Sequence, residues 1–154
     1  MENKHFPLFI NGAGKKVIVF GGGKIATRRI NTLIDFDFEI TVVSTELTDK
    51  LRELVSEKKI TFIDSTYKSD YINNQYLILA CTDDRNTNKE IGVVGKSKGI
   101  LVNIADAKEE CDFFFPAIAG NDEIIVGIVG NGQSHKTTKE IASKLREIID
   151  RKVY

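Results

Sequence analysis

Short runs of β-branched, mostly apolar residues recur along the chain, separated by segments whose apolar positions follow a helical period. The runs are Lys16–Phe20, Glu39–Val43, Ile60–Ile63, Tyr76–Ala80 and Ile100–Asn103. After the first run, Ala26, Ile30, Leu33 and Ile34 stand at i, i+4, i+7 and i+8, and Leu47, Leu51, Leu54 and Val55 repeat that spacing after the second. The stretch Asn86–Lys98 predicts a third, less periodic helix. Strands alternating with helices imply βαβ units and a parallel sheet. The near-continuous apolar character of KVIVF and YLILA fits strands covered on both faces. The predicted class is therefore α/β, a parallel sheet with helices on both faces.

The pattern changes after Ala107. A polar stretch leads into the aromatic run Phe113–Phe115 and Pro116, then a strand expected over Glu123–Val129, then a helix carrying Ile141, Leu145, Ile148 and Ile149. The expected division is a first domain over 1–112 and a strand-plus-helix segment over 113–154. Chains below ~40–50 residues rarely fold alone, so this segment must pack on the first part or on a second copy. A terminal strand and amphipathic helix suit the second choice, a symmetric homodimer.

Composition narrows the function classes. The 154 residues are 42% hydrophobic and 29% charged, with 22 Lys plus Arg against 22 Asp plus Glu. A balanced charge argues against whole-chain capture of nucleic acid or an anionic membrane. No apolar run approaches the ~20 residues of a membrane-spanning helix, and the polar start MENKH is not a secretory leader. Cys81 and Cys111 stand without CxxC spacing, and His5 and His135 show no metal-ligand spacing. Neither a disulfide framework nor a metal site is expected, and a reducing cytoplasm is the expected location.

The strongest local motif is Gly21-Gly22-Gly23-Lys24-Ile25-Ala26, a G-x-G-x-x-A between the first strand and the first helix. In such a turn the first glycine makes the bend, the second lets a pyrophosphate approach the backbone, and the small sixth residue packs helix on strand. The phosphates meet free N–H groups at the positive end of the helix. The second strand ends Val43-Ser44-Thr45-Glu46, so the usual ribose-holding acid is missing or displaced to Glu46. No Arg follows at once to greet a 2′-phosphate, which favours NAD over NADP. Ser44 and Thr45 are candidate cofactor contacts or helix caps.

Thr82 and Asp83 follow the fourth strand, where ligands of open parallel sheets bind, and Asp84 reads as a helix cap. Cys81 reads as a buried thiol. Asn103 and Asp106 fall at the end of the fifth strand, on the same sheet edge as the glycine turn. A carboxylate there is placed to take a proton as a hydride leaves for a nicotinamide, although a lone Asp at a strand end is ordinarily a turn residue. A second glycine-rich loop, Gly130–His135, opens the last helix, with Ser134 as cap or anion contact. Basic residues outnumber acidic ones beyond it, Lys136 among them. With Arg28 and Arg29 on the first helix, they make a polyanionic small substrate conceivable; a solvated helix face is the plainer reading.

In order, Phe6-Pro7-Leu8-Phe9, Val17–Ala26, Ala80-Cys81-Thr82-Asp83-Asp84, Asn103-Ile104-Ala105-Asp106-Ala107, Phe115-Pro116-Ala117-Ile118 and the loop before Ser134 resemble the siroheme-synthase family, the NAD-dependent precorrin-2 dehydrogenases. Some members are also sirohydrochlorin ferrochelatases. The resemblance implies a Rossmann domain followed by a dimerisation segment, and oxidation of precorrin-2 to sirohydrochlorin with NAD in siroheme or cobalamin synthesis. It implies cofactor contacts at Lys24, Ile25, Thr45, Glu46 and Thr82, and a key aspartate at Asp106. It places Ser134 near the substrate pocket, with Asn103, Arg28 and Lys136 as further substrate candidates. Two departures stand out. His135 and Lys136 follow Ser134 where the family has Ser-Pro, and the sequence stops at Tyr154 where many members carry a further helical domain. The dehydrogenase is thus expected more strongly than the chelatase. The rivals are a non-catalytic nucleotide-sensing Rossmann domain and a stand-alone ferrochelatase.

Overall fold

A computed structural model describes residues 6–130 and 135–150. The chain divides into two compact units, Ile10–Phe113 and a second made of Met1–Phe9 with Phe114–Tyr154.

In the first unit the five apolar runs become five strands. These are β1 (Lys16–Phe20), β2 (Glu39–Ser44), β3 (Thr61–Asp64), β4 (Leu77–Ala80) and β5 (Leu101–Ile104), separated by α1 (Lys24–Ile34), α2 (Asp49–Ser56) and α3 (Arg85–Ser97). All pairings are parallel, in the order β3-β2-β1-β4-β5. The chain winds outward from β1 to β3 and returns to start β4 on the other side of β1. That reversal opens a crevice at the carboxyl ends of β1 and β4, the usual place for a ligand in such a sheet.

Local sequence explains each helix. On α1 the period-matched Ala26, Ile30 and Leu33 are buried, and each large one contributes about 1.5–3 kcal/mol by leaving water. Thr48 caps α2 by accepting from the Leu51 N–H, and Asp49 sits favourably in its first turn. Asp84 caps α3 through the Thr87 N–H at 2.6 Å. Those bonds hold the Asp84 carboxyl below its ordinary pKa.

The helix over Asn86–Lys98 is less periodic because of what it buries. Its inner face is Asn88, Ile91, Gly92 and Gly95. A Cβ on Gly92 would lie 2.6 Å from Ile104 Cδ1, and one on Gly95 would lie 2.6 Å from Val102 Cγ2. The glycines let α3 lie close on β4 and β5, sealing a core of Ile18, Phe20, Ile78, Ile91, Val102 and Ile104.

As an edge strand, β5 has outward amides and carbonyls to satisfy. The segment Cys111–Phe113 does this. Val102 donates its N–H to Asp112 Oδ2 at 2.9 Å, and Asp112 returns its own N–H to the Val102 carbonyl at 2.8 Å. Ile104 N–H meets Cys111 Sγ at 3.1 Å. Asn103 Nδ2 donates to the Phe113 carbonyl at 2.7 Å. Burial raises the pKa of both thiols, that of Cys81 at the end of β4 and that of Cys111.

The second unit corrects one expectation. The single strand expected over Glu123–Val129 is one arm of an antiparallel hairpin, β6 (Ala117–Gly120) with β7 (Ile125–Ile128). Asn121 closes the turn by accepting from the Glu123 and Ile124 amides. The final helix α4 (His135–Asp150) packs on β6, with Ala142 buried and Arg146 donating to the Ile118 carbonyl at 2.7 Å. Its apolar stripe is covered in part: Leu145 and Ile149 are half-buried, while Ile141 and Ile148 remain exposed. Among the described residues, no helix is long and apolar enough to cross a membrane.

Asp112→Ala removes an edge bond and leaves the Val102 amide unpaired. It is expected to lower stability by about 1–3 kcal/mol in urea unfolding followed by circular dichroism. A loss below a few tenths of a kcal/mol would show that this edge is satisfied some other way.

Candidate functional site

At the end of β1 the backbone is crowded on two sides. Gly21 has φ +103°, and a Cβ there would lie 2.4 Å from the Cys81 carbonyl oxygen. A Cβ on Gly22 would lie 2.0 Å from the Glu46 carbonyl oxygen. Gly23 differs: a Cβ there would meet nothing within 4 Å. The sequence assigns the bend to Gly21 and the phosphate approach to Gly23; the chain takes a positive φ at the first and leaves open space at the second. The geometry adds a role for the middle glycine, which lets the loop after β2 press on the turn. Thr48 N–H donates to the Gly22 carbonyl at 3.1 Å, and the Thr27 and Thr48 hydroxyls are 2.7 Å apart. These contacts lock the start of α1 to the start of α2.

Gly23 is the N-cap of α1, and no side chain caps the helix. The first turn holds no acid, and Lys24 and Ile25 lie exposed beside it. First-turn amides have no partner within a helix, and they carry its positive end. An open glycine before an uncapped helix fits a dinucleotide pyrophosphate.

Across the crevice, Thr82 follows β4. Its hydroxyl is taken up inside the loop, donating to Asn88 Oδ1 at 2.7 Å, and Asp83 beside it is exposed. Asn88 is fully buried and saturated. Its Oδ1 also accepts the Thr82 N–H at 3.1 Å, and its Nδ2 donates to the Thr82 carbonyl at 3.0 Å and to Asp106 Oδ2 at 3.1 Å. One amide thus ties the end of β4 to the residue after β5. The Asp106 carboxylate is anchored at one oxygen. Its other oxygen faces Arg85 Nη1 at 3.9 Å, and 37% of the side chain stays exposed. Arg85 also pairs with Glu110. An anchored, solvent-facing carboxylate flanked by a guanidinium can accept a proton from a bound molecule.

Sequence reasoning found the glycine turn, Thr82 and Asp106, and the structure brings these to one sheet edge. It missed Asn88, Arg85 and Glu110. A signal for Asn88 existed: a polar residue on the inner face of α3, one turn after the cap Asp84. Elsewhere the expected contacts are dispersed. Ser44 donates to the Glu46 carbonyl at 2.8 Å, while Thr45 and Glu46 are exposed beyond it. Asn103 is buried, with its amide nitrogen on Phe113. Arg28 is exposed on α1, and Lys136 is exposed on α4 in the other unit, 3.9 Å from Glu140. Ser134 lies outside the described residues. Cys81 is buried, as expected, with Arg29 Nη1 at 3.2 Å from its sulfur. Among the described residues no cluster of side chains suits a metal ion.

The family described as "Putative NAD(P)-binding" matches residues 8–117. The "Probable multifunctional siroheme biosynthesis protein HemA" of Ruminiclostridium josui is 46% identical over 93% of this chain and 28% of its own length. The siroheme synthase of Nitrosococcus oceani is 30% identical over 95% of this chain and 31% of its own. The chain therefore spans less than a third of these relatives. Among solved structures, "SirC, precorrin-2 dehydrogenase" superposes with a TM-score of 0.79 at 26% identity, covering 94% of this chain and 71% of that one.

Asn88→Ala strips Thr82 and Asp106 of a shared partner in a buried site. A loss of about 1–3 kcal/mol is expected in chemical unfolding. A neutral result would mean that the network reorganises without the amide.

Proposed function

We propose that this chain, which belongs to the NAD(P)-binding family shared by the siroheme synthases, oxidises precorrin-2 to sirohydrochlorin in siroheme synthesis. The observation that carries this reading is the pairing, on one sheet edge, of an open, uncapped helix start with an anchored carboxylate. The oxidation removes a hydride and a proton from the tetrapyrrole. NAD, when bound, supplies the hydride acceptor.

The chain's own residues hold the cofactor and handle the proton. Gly21, Gly22 and Gly23 shape the turn, and the backbone of Lys24 and Ile25, at the uncapped start of α1, would hold the pyrophosphate. Ser44, Thr45 and Glu46 flank the adenosine end, while Thr82 and Asp83 border the opposite wall. Asp106 takes the proton as the hydride leaves, and Asn88 fixes the carboxylate oxygen that it touches. Arg85 Nη1 stands 3.9 Å from the other oxygen, placing a guanidinium beside the carboxylate. Arg28, exposed on α1, remains our candidate for contacts to the substrate carboxylates. Arg85 joins it, as a base closer to Asp106.

The protein acts in this reading as a cytoplasmic homodimer. What supports the dimer is apolar surface: in the second unit Phe6, Leu8, Phe9, Ile125, Val129 and Ile148 are all exposed. Surface of that kind marks an interaction site. Sedimentation is expected to return twice the 17.2 kDa chain mass. A species of single mass at micromolar concentration would remove the dimer.

The catalytic reading is tested by following NADH formation with enzymatically generated precorrin-2 and NAD. Asp106→Asn keeps the shape and the Asn88 contact but loses the base. Turnover is expected to fall about 100-fold or more, with NAD binding retained. Full turnover in that variant would sink the assignment of Asp106. Metal insertion into sirohydrochlorin without any NAD dependence would select the chelatase instead.

A further inference from the structure

The adenosine end of a dinucleotide needs an acceptor for its ribose hydroxyls, ordinarily a carboxylate closing the second strand. Here β2 closes on Ser44, whose hydroxyl is taken up by the Glu46 carbonyl. The neighbouring strand offers what β2 lacks. Asp64, the last residue of β3, is the register partner of Ser44. Parallel neighbours stand about 4.8 Å apart, so the carboxylate arises one strand spacing from the usual position. Asp64 is exposed and lines a groove of about 390 Å³ together with Thr45, Glu46, Arg52 and Phe62. The bases nearby are engaged elsewhere: Arg52 pairs with Asp49 at 2.8 Å and Lys59 with Glu57 at 2.9 Å.

We propose that Asp64 holds the adenosine ribose of bound NAD and is the residue that rejects a 2′-phosphate. The inference rests on the dinucleotide-binding reading above and extends it to cofactor choice. The two oxygens of one carboxylate accept both hydroxyls of a ribose. A 2′-phosphate replaces one donor with a group of about −2 charge, which meets Asp64 and Glu46 at short range. Arg52 lines the same groove, but its charge is offset by Asp49, so the wall facing the ribose is net acidic. The glycine turn also fixes where this wall stands. The Glu46 carbonyl seats where a Gly22 side chain would be, and Thr48 bonds to Gly22, so the backbone of the loop after β2 is held in place, with Glu46 the acid it brings to the groove.

The test is calorimetric titration of the full chain with NAD and, separately, with NADP. Asp64→Asn, Asp64→Ala and Glu46→Gln are measured beside the unaltered protein. The unaltered chain is expected to prefer NAD. Both Asp64 variants should bind NAD about tenfold more weakly, the effect of losing a charge-assisted hydrogen bond, and the preference over NADP should shrink in both. NAD binding that is unchanged in both variants overturns the proposal and leaves the dehydrogenase reading standing. So does a native preference for NADP. A loss confined to Glu46→Gln assigns the ribose to Glu46 and likewise overturns it. An unaltered chain that binds neither dinucleotide overturns the underlying reading and this inference together.

Discussion

The end of β1 leaves no room for side chains, and most of the site follows from that. Gly21 is backed against the carbonyl of Cys81, and Gly22 against the carbonyl of Glu46. A Cβ at either position would overlap backbone, which cannot swing aside as a flexible side chain can. Only glycine permits three loops, after β1, β2 and β4, to converge so closely. The same crowding forces the chain through a left-handed conformation at Gly21, which glycine adopts freely. Once the turn is made, α1 starts at Lys24 behind the open N-cap Gly23, where a Cβ would meet nothing within 4 Å. The anion-binding character of the helix start is thus a by-product of how tightly the loops behind it are packed.

The opposite wall is held by polar rather than steric means. A fully buried asparagine is costly unless every hydrogen-bonding group is matched, and Asn88 matches all of its own within two neighbours, Thr82 and Asp106. The arrangement fixes the loop after β4 and the carboxylate after β5 as one body. It also explains why Thr82, at a strand end where ligand contacts are expected, turns its hydroxyl inward. Its contribution to a ligand would be position, with its side chain serving the loop. Arg85 and Glu110 complete the set by placing charge around Asp106 without burying it.

Legibility in the sequence tracked the kind of interaction. Strands buried on both faces announce themselves as apolar runs, and α1 and α2 as apolar periods, because large side chains meet the core there. Three of the four residues on the inner face of α3 are glycine or asparagine, so its packing is real but its periodicity faint. The first arm of the hairpin, Ala117–Gly120, was missed for a similar reason: small residues following an aromatic run give no alternation. At the site, glycine spacing and the strand-end aspartate were readable because their geometry is local. Asn88 and Asp106 lie far apart in sequence and meet only through the sheet order. Asp64 depends on register between two strands, and no one-dimensional pattern contains that.

The two units rest on different physics. The first has a sheet sealed by helices and an edge strand whose outward groups are satisfied by Cys111 and Asp112. The second has a two-stranded hairpin and one helix, an assembly that is marginal alone because too little apolar surface is removed from water. Within it α4 buries Ala142 against the hairpin, while the larger Ile141 and Ile148 face outward. Leu145 and Ile149 of the same stripe are half-buried, so the helix commits only part of its apolar face within the unit. Its stability therefore draws on far less buried apolar surface than that of the sheet that holds Asp106, and a substitution on α4 acts first on the packing of the helix against β6.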